Sequence, residues 1–130
     1  MGIARTARFR PVEHAAGKVM DGELVVINLT SGLYYSSLGV GGAIWQLMEA
    51  GHSVGAIADQ VARDLQVAPE TVEADVSEFL DNLLAARVIE GADDAAPASA
   101  ITVEYSGAYA RPTLTAFDDL ETSIALDPPL

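Results

Sequence analysis

At Gly39 the hydrophobic repeat of this chain changes from two residues to 3.6. That change restricts the fold to one in which a small sheet precedes a set of helices. Upstream, Glu23-Leu24-Val25-Val26-Ile27-Asn28-Leu29 alternates as a strand does, with Leu24 and Val26 on one side and Val25, Ile27 and Leu29 on the other. Pro11-Val12-Glu13-His14 begins an earlier strand, which Ala15-Ala16-Gly17 breaks or bulges and Val19-Met20 continues to an Asp21-Gly22 turn. Thr30-Ser31-Gly32 reverses the chain again, Gly32 being free to take positive φ, and Leu33 to Leu38 returns as the partner strand. The expected result is an antiparallel meander of about three strands.

Downstream, Val40, Ala43, Ile44, Leu47 and Met48 form the inner face of a first helix that stops at Ala50-Gly51. Ser53 is placed to cap a second helix, whose Val54, Ile57, Ala58, Val61 and Leu65 face inward. Pro69 suits the first turn of a third, which runs to about Ala86, and Val88-Ile89-Glu90 can follow as a short strand. Trp45 lies off the first helix's stripe, so it flanks the core or forms part of a partner surface. The fold class is α+β, a winged-helix-turn-helix-like arrangement of a meander followed by three helices.

The third helix narrows the function. Val72, Val76, Phe79, Leu80 and Leu83 share one face, while Glu70, Glu73, Asp75, Glu78 and Asp81 surround it. A winged-helix protein would read DNA with this helix, and an acidic helix repels phosphate. The chain as a whole agrees: 130 residues carry 19 acidic against 7 basic side chains, a formal net charge of -12. A DNA-binding regulator is the rival of the same architecture, and its remaining support is the cluster Arg5, Arg8, Arg10 and Lys18, placed like a basic arm.

Catalysis has little to stand on. There is no cysteine, and the two histidines, His14 and His52, fall in a predicted strand and a loop before a helix cap. Neither a glycine-rich phosphate loop nor a nucleophile paired with a base occurs at suggestive spacing, and no metal or cofactor is expected. The pairs Asp93-Asp94 and Asp118-Asp119 read as solvated charge. With no spanning apolar run and no signal-like N-terminus, the expected location is cytoplasmic, and the bare myristoylation pattern of Gly2 with Thr6 has little weight.

The ordered set Gly32-Leu33-Tyr34-Tyr35, Gly42-Ala43-Ile44-Trp45-Gln46-Leu47, Ser53-Val54 and Val72-x-x-Asp75-Val76-x-x-Phe79-Leu80-x-x-Leu83 resembles the PqqD-like family, over a little more than half the chain. Leu38-Gly39 departs from the Leu-Asn that many relatives carry there. The resemblance implies a RiPP recognition element, a noncatalytic leader-peptide-binding domain. It would present the leader of a ribosomally synthesised precursor peptide to a radical-SAM protein, a peptidase or a cyclase in natural product biosynthesis. It also implies where the leader adds: beside the strand Leu33, Tyr34, Tyr35, Ser36, Ser37 and Leu38, with side chains entering a groove walled by Val72, Asp75, Val76, Phe79 and Leu83. From helical spacing alone, Asp75 either rims such a groove or is plainly solvated, with Asn82 and Ala86 on the same flank. Tyr34 and Tyr35 point to opposite faces, so at most one enters the core.

Three segments follow: a peptide-binding domain at 1–91, a flexible linker at 92–108 and a tail at 109–130. In the tail, Tyr109, Pro112 and Leu114 spell YxxPxL, which resembles the leader motif of lasso-peptide clusters. Proline keeps such a segment extended, and Tyr109 and Leu114 supply apolar anchors. The glycine expected after the leucine is Asp118, and no core peptide is recognisable. The tail is therefore a tethered leader mimic, a fused leader or an extension, with Phe117, Leu120, Ile124 and Leu126 needing cover, or it packs over the chain's own sheet edge. The linker allows docking within one chain or across a homodimer by tail exchange.

Overall fold

The computed structural model describes residues 3–92, 98–105 and 107–117. Gly2, the Asp93-Asp94 and Asp118-Asp119 pairs, Leu120, Ile124 and Leu126 lie outside those residues. The elements in order are β1 (Phe9–Pro11), β2 (Ala15–Met20), β3 (Glu23–Asn28), β4 (Tyr34–Ser37), α1 (Gly41–Glu49), α2 (Val54–Leu65), α3 (Pro69–Ala85), β5 (Ile89–Gly91) and β6 (Thr115–Phe117). One sheet has the order β2-β3-β4-β6, all antiparallel, and β1 pairs separately with β5.

The meander forms as its alternation requires. Leu24 and Val26 are completely buried under the helices, whereas Val25 and Leu29 on the opposite face are exposed. Asn28 closes the second hairpin: its side-chain carbonyl accepts from the backbone N–H of Thr30 at 2.9 Å and of Ser31 at 3.1 Å. One expectation for the first strand is corrected. Ala15-Ala16-Gly17 does not interrupt it but begins β2, and the interruption falls at Glu13-His14, where Ala15 N–H bonds back to the Val12 carbonyl at 3.1 Å. Gly17 belongs inside the strand because its bare Cα lies against the Trp45 ring, where a β-carbon would collide. Trp45 is thereby 1% exposed, a core residue.

The helices obey their punctuation. Ser53 Oγ accepts from Ala56 N–H at 3.3 Å, capping α2, and Gln66 in left-handed conformation ends it. Pro69 opens α3. Val72, Val76, Phe79, Leu80 and Leu83 are each no more than 1% exposed and close the core against α1, α2 and the sheet. The N-terminal arm staples α2 to α3, Arg5 pairing with Asp59 at 3.0 Å and with Glu73, and Ile3 N–H reaching Ser77 Oγ at 3.1 Å. Among the described residues no helix is long and apolar enough to cross a membrane.

Candidate functional site

Between β4 and α3 runs a groove, and the chain's own tail lies in it. β6 pairs with β4 in antiparallel register, Tyr34 opposite Phe117, Tyr35 opposite Ala116 and Ser36 opposite Thr115. Upstream of β6 the contacts continue, with Leu38 N–H on Thr113 Oγ1 at 3.4 Å and Val40 N–H on the Ala110 carbonyl at 3.2 Å. Val40 is the N-cap position of α1, whose N–H has no partner within the helix. The incoming carbonyl satisfies that donor at the positive end of the helix.

Residue period two governs the tail as it governs any strand. Pro112 is buried and Leu114 half-buried against the core, while Thr113 and Thr115 between and after them face out. Glu78, Phe79 and Asn82 of α3 form one wall of a cleft whose other wall is Arg111, Pro112, Thr113 and Leu114. On the outer face the Tyr34 and Phe117 rings stack with centroids 5.3 Å apart. Tyr35 points the other way and is 8% exposed, inside the core.

The polar rim is built by two carboxylates one helical turn apart. Asp75 Oδ2 accepts from the Tyr109 hydroxyl at 2.6 Å, a short charge-assisted bond, and Asp75 Oδ1 lies 3.7 Å from Arg111 Nε. Glu78 pairs with the same guanidinium. Burial, and then the bond to Asp75, push the Tyr109 phenol above its ordinary pKa. The segment before Tyr109 is fastened in the same way: Tyr105 donates to Asp64 at 2.7 Å, Val103 is buried, and Ser99 N–H bonds the Ala50 carbonyl at 2.9 Å. Much of the stretch expected as a flexible linker thus lies against the domain, and Ala92 too is buried.

Of the residues singled out in the sequence, Tyr34, Tyr35 and Ser36 lie in the paired edge, and Ser37 ends β4. Leu38 is 60% exposed but contributes its N–H, and Leu33 turns its carbonyl to Asn28 N–H instead of to the tail. On α3, Asp75 and Phe79 meet the tail, whereas Val72, Val76 and Leu83 lie deeper, in the core. Glu78 was missed, although i, i+3 spacing from Asp75 puts the two on adjacent turns. In the sequence Gly39 stands out only as a departure from the Leu-Asn of many relatives. In the fold it has φ 73°, and a β-carbon there would stand 2.6 Å from the carbonyl oxygens of Ala110 and Arg111. The tail's backbone approaches this closely because position 39 has no side chain.

Nothing in the site speaks for nucleic acid or metal. Three of the four bases of the supposed arm are engaged internally, Arg5 by Asp59 and Glu73, Arg8 by the Gly51 carbonyl and Arg10 by Glu90, while Lys18 is exposed on β2. His52 has a ring nitrogen 2.8 Å from the Ser99 carbonyl, and no group of three or more metal-ligating side chains occurs among the described residues.

An α+β domain with a peptide-like strand laid between its last meander strand and its third helix defines a class, that of strand-accepting recognition modules. The family described as coenzyme PQQ synthesis protein D (PqqD) matches residues 23–89, just over half the chain, and the chain belongs to it. No curated protein matches the sequence. Among solved structures, one described as TbiB1 in complex with the TbiA(beta) leader peptide superposes with a TM-score of 0.60 at 30% identity, covering 64% of this chain and 96% of that one. Family membership gives the DNA-binding alternative no support.

Proposed function

We propose that this chain is a noncatalytic recognition element that binds the leader of a ribosomally made precursor peptide and presents it to a modifying enzyme. The leader adds as a strand to β4, its side chains entering the cleft in front of α3. Main-chain pairing supplies affinity there and alternate side chains supply selectivity. One observation carries the reading: an extended segment with the YxxPxL pattern seats Pro112 and Leu114 beside Phe79 and hands its tyrosine hydroxyl to Asp75. The leader complex of the TbiB1 neighbour, at 30% identity, supports it independently. The binding surface comprises Leu33 to Leu38 with Val72, Asp75, Val76, Phe79 and Leu83, the core members acting by shaping the groove floor. The partner enzyme, a radical-SAM protein, peptidase or cyclase, completes a cytoplasmic pathway, and the tail is the tethered mimic of the leader.

A direct test uses the full chain with its tail weakened by Tyr109→Ala and Leu114→Ala. Titration with a labelled synthetic peptide of the Gly107–Phe117 sequence is expected to saturate, and to weaken when the peptide itself carries either alanine. Absence of saturable binding to a folded variant defeats the proposal. Saturable binding to duplex DNA at physiological salt would restore the rival.

A further inference from the structure

We infer that residues Tyr109 to Phe117 are an intramolecular gate on the groove, so that a leader enters only by displacing them. This rests on the leader-binding reading and adds its regulation. Every feature that would receive a leader is already engaged. The β4 edge is paired over Tyr34 to Ser36, the Val40 N–H is bonded, Asp75 and Glu78 hold Tyr109 and Arg111, and Pro112 and Leu114 form the far wall of the cleft beside Phe79.

The gate is held in cis. Tyr105 on Asp64 and the buried Val103 fix the chain just upstream, and only residues 106–108 separate that anchor from Tyr109. A tether this short keeps the local concentration of the tail in about the millimolar range. The apparent affinity for an external peptide falls by the fraction of molecules in which the groove is open. For a peptide whose affinity for the open groove is about micromolar, millimolar tethering weakens apparent binding by up to about a thousandfold.

Exchange has a natural starting point. Thr115, Ala116 and Phe117 are all exposed, whereas nearer the anchor Leu114 and Tyr109 are half-buried and Pro112 is buried. An incoming strand can therefore take the β4 edge first and displace Leu114, Pro112 and Tyr109 in turn. The gate then favours leaders that reproduce those anchors, since a peptide lacking them replaces only the exposed end.

The experiment compares the unaltered chain with Tyr109→Phe and with Tyr109→Ala/Leu114→Ala, titrating each with the Gly107–Phe117 peptide and recording thermal melts. The unaltered chain is expected to bind at least about tenfold more weakly than the double variant, with Tyr109→Phe between them. Hydrogen exchange at the β4 amides is expected to be slower in the unaltered chain. Equal affinities for all three chains overturn the gate and leave leader recognition standing. No binding by any folded chain overturns both. Should the double variant prove unfolded, Tyr109→Phe alone decides: affinity and β4 exchange unchanged from the unaltered chain refute the gate.

Discussion

Asp75 is the residue on which the polar side of the groove turns, because its two oxygens face two different donors of one strand. A hydrogen bond to a charged group contributes about 1.5–3 kcal/mol, so Tyr109→Phe is expected to loosen tail docking by about 1.5 kcal/mol. Faster exchange of the β4 amides would register it. The Arg111 pairs, on a largely exposed side chain, are screened by solvent and contribute little. Gly39 acts through absence. Gly39→Ala costs about 1–2 kcal/mol for its left-handed backbone and also pushes against the Ala110 carbonyl. Gly39→Asn removes most of the backbone penalty but keeps the β-carbon. Both variants are expected to undock the tail while the core stays folded; peptide or tail docking that survives in Gly39→Asn would show the contact to be yielding. The tyrosines respond to pH in a defined direction. Burial and a carboxylate acceptor raise the Tyr105 and Tyr109 phenols above the ordinary value of about 10. Their stabilising contribution is complete below that pH and is lost as pH rises toward the raised values. Ultraviolet titration should show these two phenols ionising late, and Tyr109 returning toward the ordinary value in Leu114→Ala.

At the scale of elements, α3 serves two surfaces at once. Its apolar stripe is core, so Phe79→Ala is expected to cost about 3–5 kcal/mol by cavity formation, visible as a shifted denaturation midpoint. That loss would obscure any binding effect, and Asp75 is therefore the better probe of the groove. The cap of α2, which neither lines the cleft nor pairs with the tail, is a control. Ser53→Ala should lower stability by about 1 kcal/mol and leave peptide affinity unaltered. The helices were legible because each carries its own signals: a stripe at 3.6 spacing, Ser53 at a cap and Pro69 in a first turn. The start of β2 was not. Gly17 in isolation marks a break, and only the Trp45 ring lying against it explains an unbroken strand.

For the whole molecule, the acidic surplus repels phosphate partners at long range, and the internal engagement of Arg5, Arg8 and Arg10 leaves little of a basic arm to offset it. Tail docking in cis has a further consequence. Protection of β4 is expected to be independent of protein concentration, and protection that fades on dilution would mean the tail is exchanged between copies. The sequence alone determined the order of the meander strands and the helices and the core face of each, because these follow from local periodicity and capping, whereas the strand edge expected to take a peptide came from the family resemblance. Tertiary structure decided which of those residues touch the chain's own tail. Val72, Val76 and Leu83 were indistinguishable from Phe79 by spacing, and only the packing of α3 on the sheet sends three of them inward and leaves one at the cleft. Packing also decided the roles of Glu78 and Gly39. Both depend on where a strand more than thirty residues away comes to lie, a non-local contact that no short-range pattern encodes.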